Sequence, residues 1–329
     1  MVKVAVIGGG IFGATAAVDL ARSGAQVDLF ESRFDLLEGA TSRCQGRLHS
    51  GYHYPRSDLT AKTAREAAPE FRARYPEAVW SADQHYVIAA ESRVSAEEYL
   101  SFLDRLDLPY EIVDPPQVHH AQLCVRVPEA LINTDVLRRL LRRDLAMAGV
   151  RLHFNSRTDA PVPGYDLTIA ATYGQPWSRP LRYELCEVAL IEVARYDGQS
   201  FVVLDGDHVS LDPYGRGHML YDVVNSVHSV SDRPDRVWPY RGEPVSRWEK
   251  MLETAGQHLR GLRAGGQGVV IYHRSLFSVR AVLPDVDATD ERPTLLESHD
   301  NVISVLSGKI CTAVSTAKLI TEMALETVA

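Results

Sequence analysis

A chain of 329 residues exceeds one typical core and suits two domains, or one domain with a large insert. Hydrophobic residues at 45% and charged residues at 24% are ordinary globular values, which excludes the disordered and fibrous classes. The formal charge of −8, with no dense Lys/Arg run, gives no electrostatic reason to expect a nucleic-acid partner; the Arg pairs in Leu137–Asp144 read as a solvated helix face.

Met1–Ile7 runs straight into a glycine turn and is too short for a signal peptide or membrane span; no later stretch is long and apolar enough to cross a bilayer. Cys44, Cys124, Cys186 and Cys311 form no CxxC pair and no metal-spaced cluster, so the expectation is reduced thiols and a cytoplasmic location.

In chain order, Val4–Ile7 reads as a buried strand, Gly13–Ser23 as a helix stopped by Gly24, and Gln26–Phe30 as a second strand. The residues from Glu38 to Pro55 are polar and turn-rich. Leu59–Tyr75 reads as a helix closed by Pro76, His85–Ala90 as a strand, and a further helix opens near Ser95–Ala96–Glu97. After the punctuation of Pro115–Pro116 and Pro128, a helix is expected over Asn133–Ala148, then strands over Arg151–Phe154 and Asp166–Ala171. From Tyr183 to Ser229 the pattern alternates, and Leu185–Val193, Ser200–Leu204 and Met219–Val224 suggest antiparallel strands. Asp205–Gly206–Asp207–His208 and Asp212–Pro213–Tyr214–Gly215 read as hairpin turns. A metal at Asp205, Asp207 and His208 is the other reading of the first; the expectation is no metal. Trp248–Leu259 reads as a helix, and Asn301–Leu306 as a strand that meets Ser307–Gly308 and a last helix.

Gly8–Gly9–Gly10–Ile11–Phe12–Gly13 matches G-x-G-x-x-G between a strand and a helix. Gly8 permits the tight turn, Gly10 lets backbone approach a pyrophosphate, and Gly13 lets helix and strand pack closely. Glu31, 23 positions after Gly8, ends the second strand, where a carboxylate accepts hydrogen bonds from an adenosine ribose. The motif does not separate FAD from NAD. An NAD domain continues at once into further βα units; here a polar loop, Thr41 to Tyr54, follows instead.

That loop after that turn resembles the D-amino-acid oxidase superfamily, with glycine oxidase, glycerol-3-phosphate dehydrogenase and L-2-hydroxyglutarate dehydrogenase among its members. Thr41–Ser42, Gly46 and His49–Ser50–Gly51–Tyr52–His53–Tyr54 follow its order of a small/Ser pair, a turn, and His-(Gly/Ala)-Gly-x-x-Tyr. Asp166–Gly174 resembles the strand that closes near the dinucleotide, with Ala170 in place of the common Asn. Val305–Thr312 resembles its glycine–lysine turn, and Ser278–Val279–Arg280–Ala281 its Arg-containing segment, with Ala281 where Pro is usual.

The resemblance implies an α/β fold: a Rossmann-type FAD-binding domain, residues 1–80, 129–180 and 270–329, with an interleaved, largely antiparallel β substrate domain, residues 81–128 and 181–269. It implies FAD held by Gly8, Gly10, Ile11, Phe12 and Gly13, by Glu31, Ser32 and Arg33, and by Thr41, Ser42, Arg43, Gly46, Arg47 and Leu48. Ala171, Gly174, Gly308, Lys309 and Ile310 complete the set. The expected activity is oxidation of a CH–NH or CH–OH carbon of a small, polar, anionic substrate, with oxygen or another electron acceptor. An NAD-linked dehydrogenase and a flavin-binding protein without turnover are the rival readings.

Lys309, with the backbone of Gly308, is expected to stabilise the charge of a reduced flavin, or else to be a surface lysine. Arg280 suits a substrate carboxylate or phosphate, because a guanidinium pairs bidentately with such groups; its other reading is a partner for Asp285 or Asp287. His49 is the candidate base, since a neutral imidazole can take a hydroxyl proton near pH 7. Its alternatives are packing against the flavin or a covalent link to it. Cys44 and Cys311 read as packing residues near the cofactor, with a tether to the flavin as their alternative, and His53, Tyr54 and Tyr214 as pocket-lining candidates.

Overall fold

The computed structural model describes residues 1–206, 209–238, 242, 244–262, 270–284, 286 and 289–327. β1 (Lys3–Ile7) is buried from Val4 onward, as a central parallel strand with both faces covered requires. α1 (Ile11–Arg22) ends at Ser23, and Gly24 then takes φ +100°, a conformation that suits glycine after a helix. β2 (Gln26–Phe30) completes the first unit. Next come β3 (Arg47–Leu48), α2 (Asp58–Arg74), β4 (Val79–Ser81) and β5 (Asp83–Ala89). α3 (Ala96–Arg105) opens on a capping box between Ser95 and Glu98, which satisfies backbone N–H groups that the first turn leaves open. β6 (Glu111–Ile112), β7 (Ala121–Val127) and β8 (Ala130–Ile132) precede α4 (Thr134–Met147), whose Asn133 cap accepts from the Asp135 and Val136 N–H groups. β9 (Arg151–His153) and β10 (Leu167–Ala170) follow.

The strand-rich part then runs through β11 (Arg182–Val193), β12 (Gln199–Val203), β13 (Val209–Tyr214), β14 (Gly217–Asp222) and β15 (Val227–Ser231). After α5 (Trp248–Ala255) come β16 (Val270–Val282), β17 (Leu295–His299), β18 (Val302–Leu306) and α6 (Ala313–Thr327).

Six strands form one sheet in the order β17-β18-β10-β1-β2-β9, parallel except for the edge strand β17. Val4, Val6, Leu29, Ile169 and Ile303 on one face pack against apolar residues of α1, α2, α4 and α6. Ala5 and Ile7 on the other face meet Val162. This is the expected Rossmann-type unit, with the glycine turn at the C-terminal end of its central strand, where open α/β sheets bind ligands.

Nine strands form the second sheet, in which every pair is antiparallel except β5 with β12. β11 pairs along its length with β16 on one side, and with β15 and then β14 on the other. A three-stranded sheet, β3-β8-β4, follows directly from β7 through β8 and so connects the two.

Two expectations need correction. Residues 270–282, expected in the dinucleotide unit, form β16 of the nine-stranded sheet, held by a register that runs from Arg182↔Val282 to Val193↔Val270. Asp212 and Pro213 are not in a turn. They lie in β13, and the chain reverses at Gly215–Arg216 instead, because Asp212 is drawn inside by an ion pair described below.

Candidate cofactor and substrate site

A Cβ on Gly8 would lie 2.5 Å from the Ala171 carbonyl oxygen, and one on Gly13 would lie 2.0 Å from the Gly8 oxygen. Neither position admits a side chain. Gly10, the N-cap of α1, differs: its Cβ would meet only Thr41 Oγ1, at 3.7 Å, so this glycine leaves open space above the helix end. A helix start with no side-chain cap offers backbone N–H groups and a partial positive charge to an anion.

Glu31 braces the same turn. Its Oε2 accepts the Gly9 N–H at 2.6 Å, and its Oε1 accepts the Arg33 N–H at 2.8 Å and the Ser32 hydroxyl at 3.1 Å. A carboxylate has about four acceptor sites, so capacity for a further donor remains.

A cleft of about 610 Å³ adjoins this turn, with walls from both large sheets. Ile11, Phe12, Thr41, Arg43, Gly46, Arg47, His49, Gly308, Lys309 and Ile310 line one side; Arg182, Glu184, Cys186, Tyr221 and Arg280, from β11, β14 and β16, line the other. His53, Tyr54 and Cys44 also line it. The remaining residues singled out from sequence surround it. The Ser42 hydroxyl accepts from Arg138 at 3.3 Å, Leu48 is buried in the core of the six-stranded sheet, and Gly174 packs against Leu181 and Leu306. Tyr214 is at the β13–β14 turn, outside the cleft wall.

At one end, a Cβ on Gly308 would come within 2.4 Å of the Arg292 carbonyl oxygen, and the Gly308 N–H donates to Thr294 Oγ1 at 3.0 Å. The expected last helix does not start at once: a 3-10 turn, Ile310–Thr312, precedes α6. Lys309 Nζ lies 4.8 Å from the centre of the Tyr54 ring. Burial, with Arg292 next in effect, lowers its ammonium to about 8. His49 packs edge-on to Tyr54 with ring centres 5.5 Å apart, and 5.2 Å from His53. Burial, followed by the Lys309 charge, holds its imidazole well below the usual value, so it is neutral at pH 7.

The FAD dependent oxidoreductase (DAO) family matches residues 3–175, more than half of the chain. This chain belongs to that family. Among relatives, the FAD-dependent monooxygenase kojA of Aspergillus flavus is 31% identical over an alignment of 173 residues that covers 48% of this chain and 39% of that protein. The chain therefore matches well under half the length of that relative. Glycine oxidase from Geobacillus kaustophilus is similar in fold over 100% of this chain and 95% of its own, with a TM-score of 0.72 at 15% identity. NikD, an amino acid oxidase of nikkomycin biosynthesis, gives a TM-score of 0.74 at 14% identity over 99% of this chain and 95% of its own.

The family is defined by FAD, and the residues of this chain fit that cofactor. The glycine cradle at Gly8 and Gly13, the open space at Gly10 and the start of α1, whose N-cap carries no side chain, suit a diphosphate. Thr41 Oγ1, which accepts the Ile11 N–H at 3.3 Å, and the cations Arg43 and Arg47 continue from there.

Three carboxylates at the site were missed in the sequence. Asp212 holds Arg47 in a bidentate ion pair, at 2.9 and 2.6 Å, and also accepts the Ser200 hydroxyl at 2.6 Å. Glu129, buried just before β8, accepts the Ser50 N–H at 2.6 Å and the Tyr86 hydroxyl at 2.5 Å. Glu184 accepts from Arg280 Nε at 2.5 Å and lies 2.9 Å from Arg182 Nε. Arg280 thus has Glu184 as its partner; the positions considered from sequence, Asp285 and Asp287, lie outside the described residues. Asp205 is paired with Arg56 at 2.6 Å, and Asp207 and His208 lie outside the described residues. Two weak signals were present: a Glu directly after Pro128, and a charged residue inside an alternating apolar strand at Glu184.

Proposed function

We propose that this chain oxidises a CH–NH or CH–OH carbon of a small, polar, anionic molecule, delivering hydride to flavin N5 and electrons onward to oxygen or another acceptor. Bound FAD supplies the two-electron acceptor. The supporting observation is that one cleft holds a cationic group on its substrate wall and a cation and a neutral imidazole on its cofactor wall. Arg182 and Arg280 both pair with Glu184, and Arg280 offers its guanidinium to an anionic ligand. The Arg280 guanidinium also donates to the Tyr221 hydroxyl at 3.3 Å, which fixes its plane.

In this reading Arg280, oriented by Glu184 and Tyr221, holds the substrate carboxylate or phosphate. Lys309 offsets negative charge that builds on the cofactor side during reduction. His49, neutral at pH 7, takes the hydroxyl proton of an alcohol substrate; an amine with a free lone pair does not require it. The monooxygenase relative matches 48% of this chain, so the substrate is argued from this chain's own walls.

The test is an anaerobic screen of amino acids, hydroxy acids, and amino and hydroxy sugars for bleaching of the flavin absorbance. His49→Ala is expected to slow bleaching by an alcohol about 10²–10⁴-fold at saturation. An unchanged rate with the active compound points to an amine, and bleaching by none of these classes overturns the proposal.

A further inference from the structure

Glu129 is 1% exposed, and its two oxygens hold together parts far apart in sequence. Oε1 takes the Ser50 N–H, next to His49, while Oε2 takes the hydroxyl of Tyr86 on β5. The same Oε1 lies 4.0 Å from His49 Nδ1, which is buried and has no hydrogen-bond partner among the described residues. The gap is about 1 Å longer than a hydrogen bond. A buried imidazole nitrogen without a partner thus faces a buried carboxylate across a distance that a small shift of the loop closes.

We propose that Glu129 receives, through His49, the proton that His49 takes from the substrate, so that the two residues act as one base. The inference rests on the reading of His49 as proton acceptor. In the step, the substrate O–H bond breaks as an imidazole N–H bond forms. The Nδ1–H bond of His49 then breaks as an O–H bond forms on Glu129 Oε1. Bound FAD would supply the two-electron acceptor for the substrate carbon, so no further oxidant is required. Glu129 does not touch substrate; it is a positioning and proton-holding residue.

In a Ser-His-Asp triad the carboxylate stays ionised while the histidine carries the proton. The surroundings here favour the opposite order. Burial raises Glu129 to about 7 despite the bonds from Tyr86 and Ser50, whereas burial and Lys309 pull His49 down. Arg47 and Asp212 face Glu129 as an ion pair and largely cancel. On the His49 side, His53 and Arg47 reinforce Lys309. Tyr52, Tyr54, Tyr86 and Tyr99 are all pushed up, as is the Cys311 thiol, so these neighbours stay neutral.

The test uses the FAD-loaded protein and two readouts that need no turnover. Infrared difference spectra follow the carbonyl stretch of a protonated buried carboxyl, and ¹⁵N-histidine NMR, assigned with His49→Gln, follows the imidazole. We expect a carboxyl band that vanishes with a midpoint near 7 and is missing in Glu129→Gln, while His49 stays neutral from pH 6 to 8. A His49 that is protonated while Glu129 is ionised overturns the relay and leaves the base reading standing. With the compound that bleaches the flavin, Glu129→Gln is expected to slow reduction by about 10²-fold, with partial recovery in Glu129→Asp at unchanged FAD content. If His49→Ala and Glu129→Gln both reduce at the wild-type rate, the base reading falls and the relay with it.

Discussion

Arg47 and Asp212 face each other across the junction of β3 and β13, both buried, with guanidinium and carboxylate in a two-point pair at 2.9 and 2.6 Å. Removing one partner leaves an uncompensated charge inside the protein. Asp212→Ala is therefore expected to cost about 3–5 kcal/mol in denaturant unfolding, and the paired change Arg47→Met/Asp212→Leu to recover most of it. Equal losses in the single and double variants would show that packing, not charge, sets the cost.

Glu31 joins the glycine turn to β2 through the Gly9 and Arg33 N–H groups. Replacing it with Arg puts a cation where a ribose donor needs an acceptor. Glu31→Arg should purify with little FAD while keeping its far-ultraviolet circular dichroism. Full flavin content in the purified variant refutes the ribose assignment.

Lys309, at about 8, holds its charge below that pH and loses it above. A reduced flavin stabilised by this cation should therefore become harder to form as the pH rises past 8, beyond the proton dependence of the flavin itself. Lys309→Met should lower the reduction potential at pH 7, weaken sulfite addition, and remove the extra step near pH 8. Identical potentials and sulfite affinities in the two proteins would move Lys309 out of the cofactor site.

The pairing of Glu184 with Arg182 and Arg280 makes opposite demands on two variants. Arg280→Ala should raise the substrate concentration for half-maximal reduction by the equivalent of about 2–5 kcal/mol. Glu184→Gln keeps both guanidiniums and raises the net charge, so an anionic substrate should bind more tightly. Looser binding of the anion in Glu184→Gln would mean that its carboxylate matters for aiming Arg280 more than for charge.

Glu129 also ties stability to pH. Its folded value of about 7 lies above the ordinary 4.5, so the folded state binds the proton more tightly than the unfolded chain. The resulting stabilisation is complete below about pH 4.5 and is lost as the pH rises through 7. Between pH 5 and 8 the wild type should lose about 1–3 kcal/mol relative to Glu129→Gln, measured by urea unfolding of both proteins. Parallel stability curves would show that Glu129 is ionised across the whole range.

The sequence by itself determined the dinucleotide unit. The strand, the glycine turn, α1, β2 and Glu31 all fall within the first 31 residues, where sterics and periodicity act over a few neighbours. Gly8 and Gly13 were legible because no side chain fits there, and the helix over 133–148 because Thr134–Asp135 and Gly149 mark its ends. Lys309, Arg280 and His49 were found by resemblance, and the fold brings all three to one cleft. What only the tertiary structure decided is the set of carboxylates that face them. Glu129 meets Ser50 from 79 positions away, Glu184 meets Arg280 from 96, and Asp212 meets Arg47 from 165. A lone acidic residue in a strand or after a proline looks solvent-exposed in sequence. Only the pairing of β13, β11 and β8 with distant elements buries it, raises or fixes its charge, and gives it a partner.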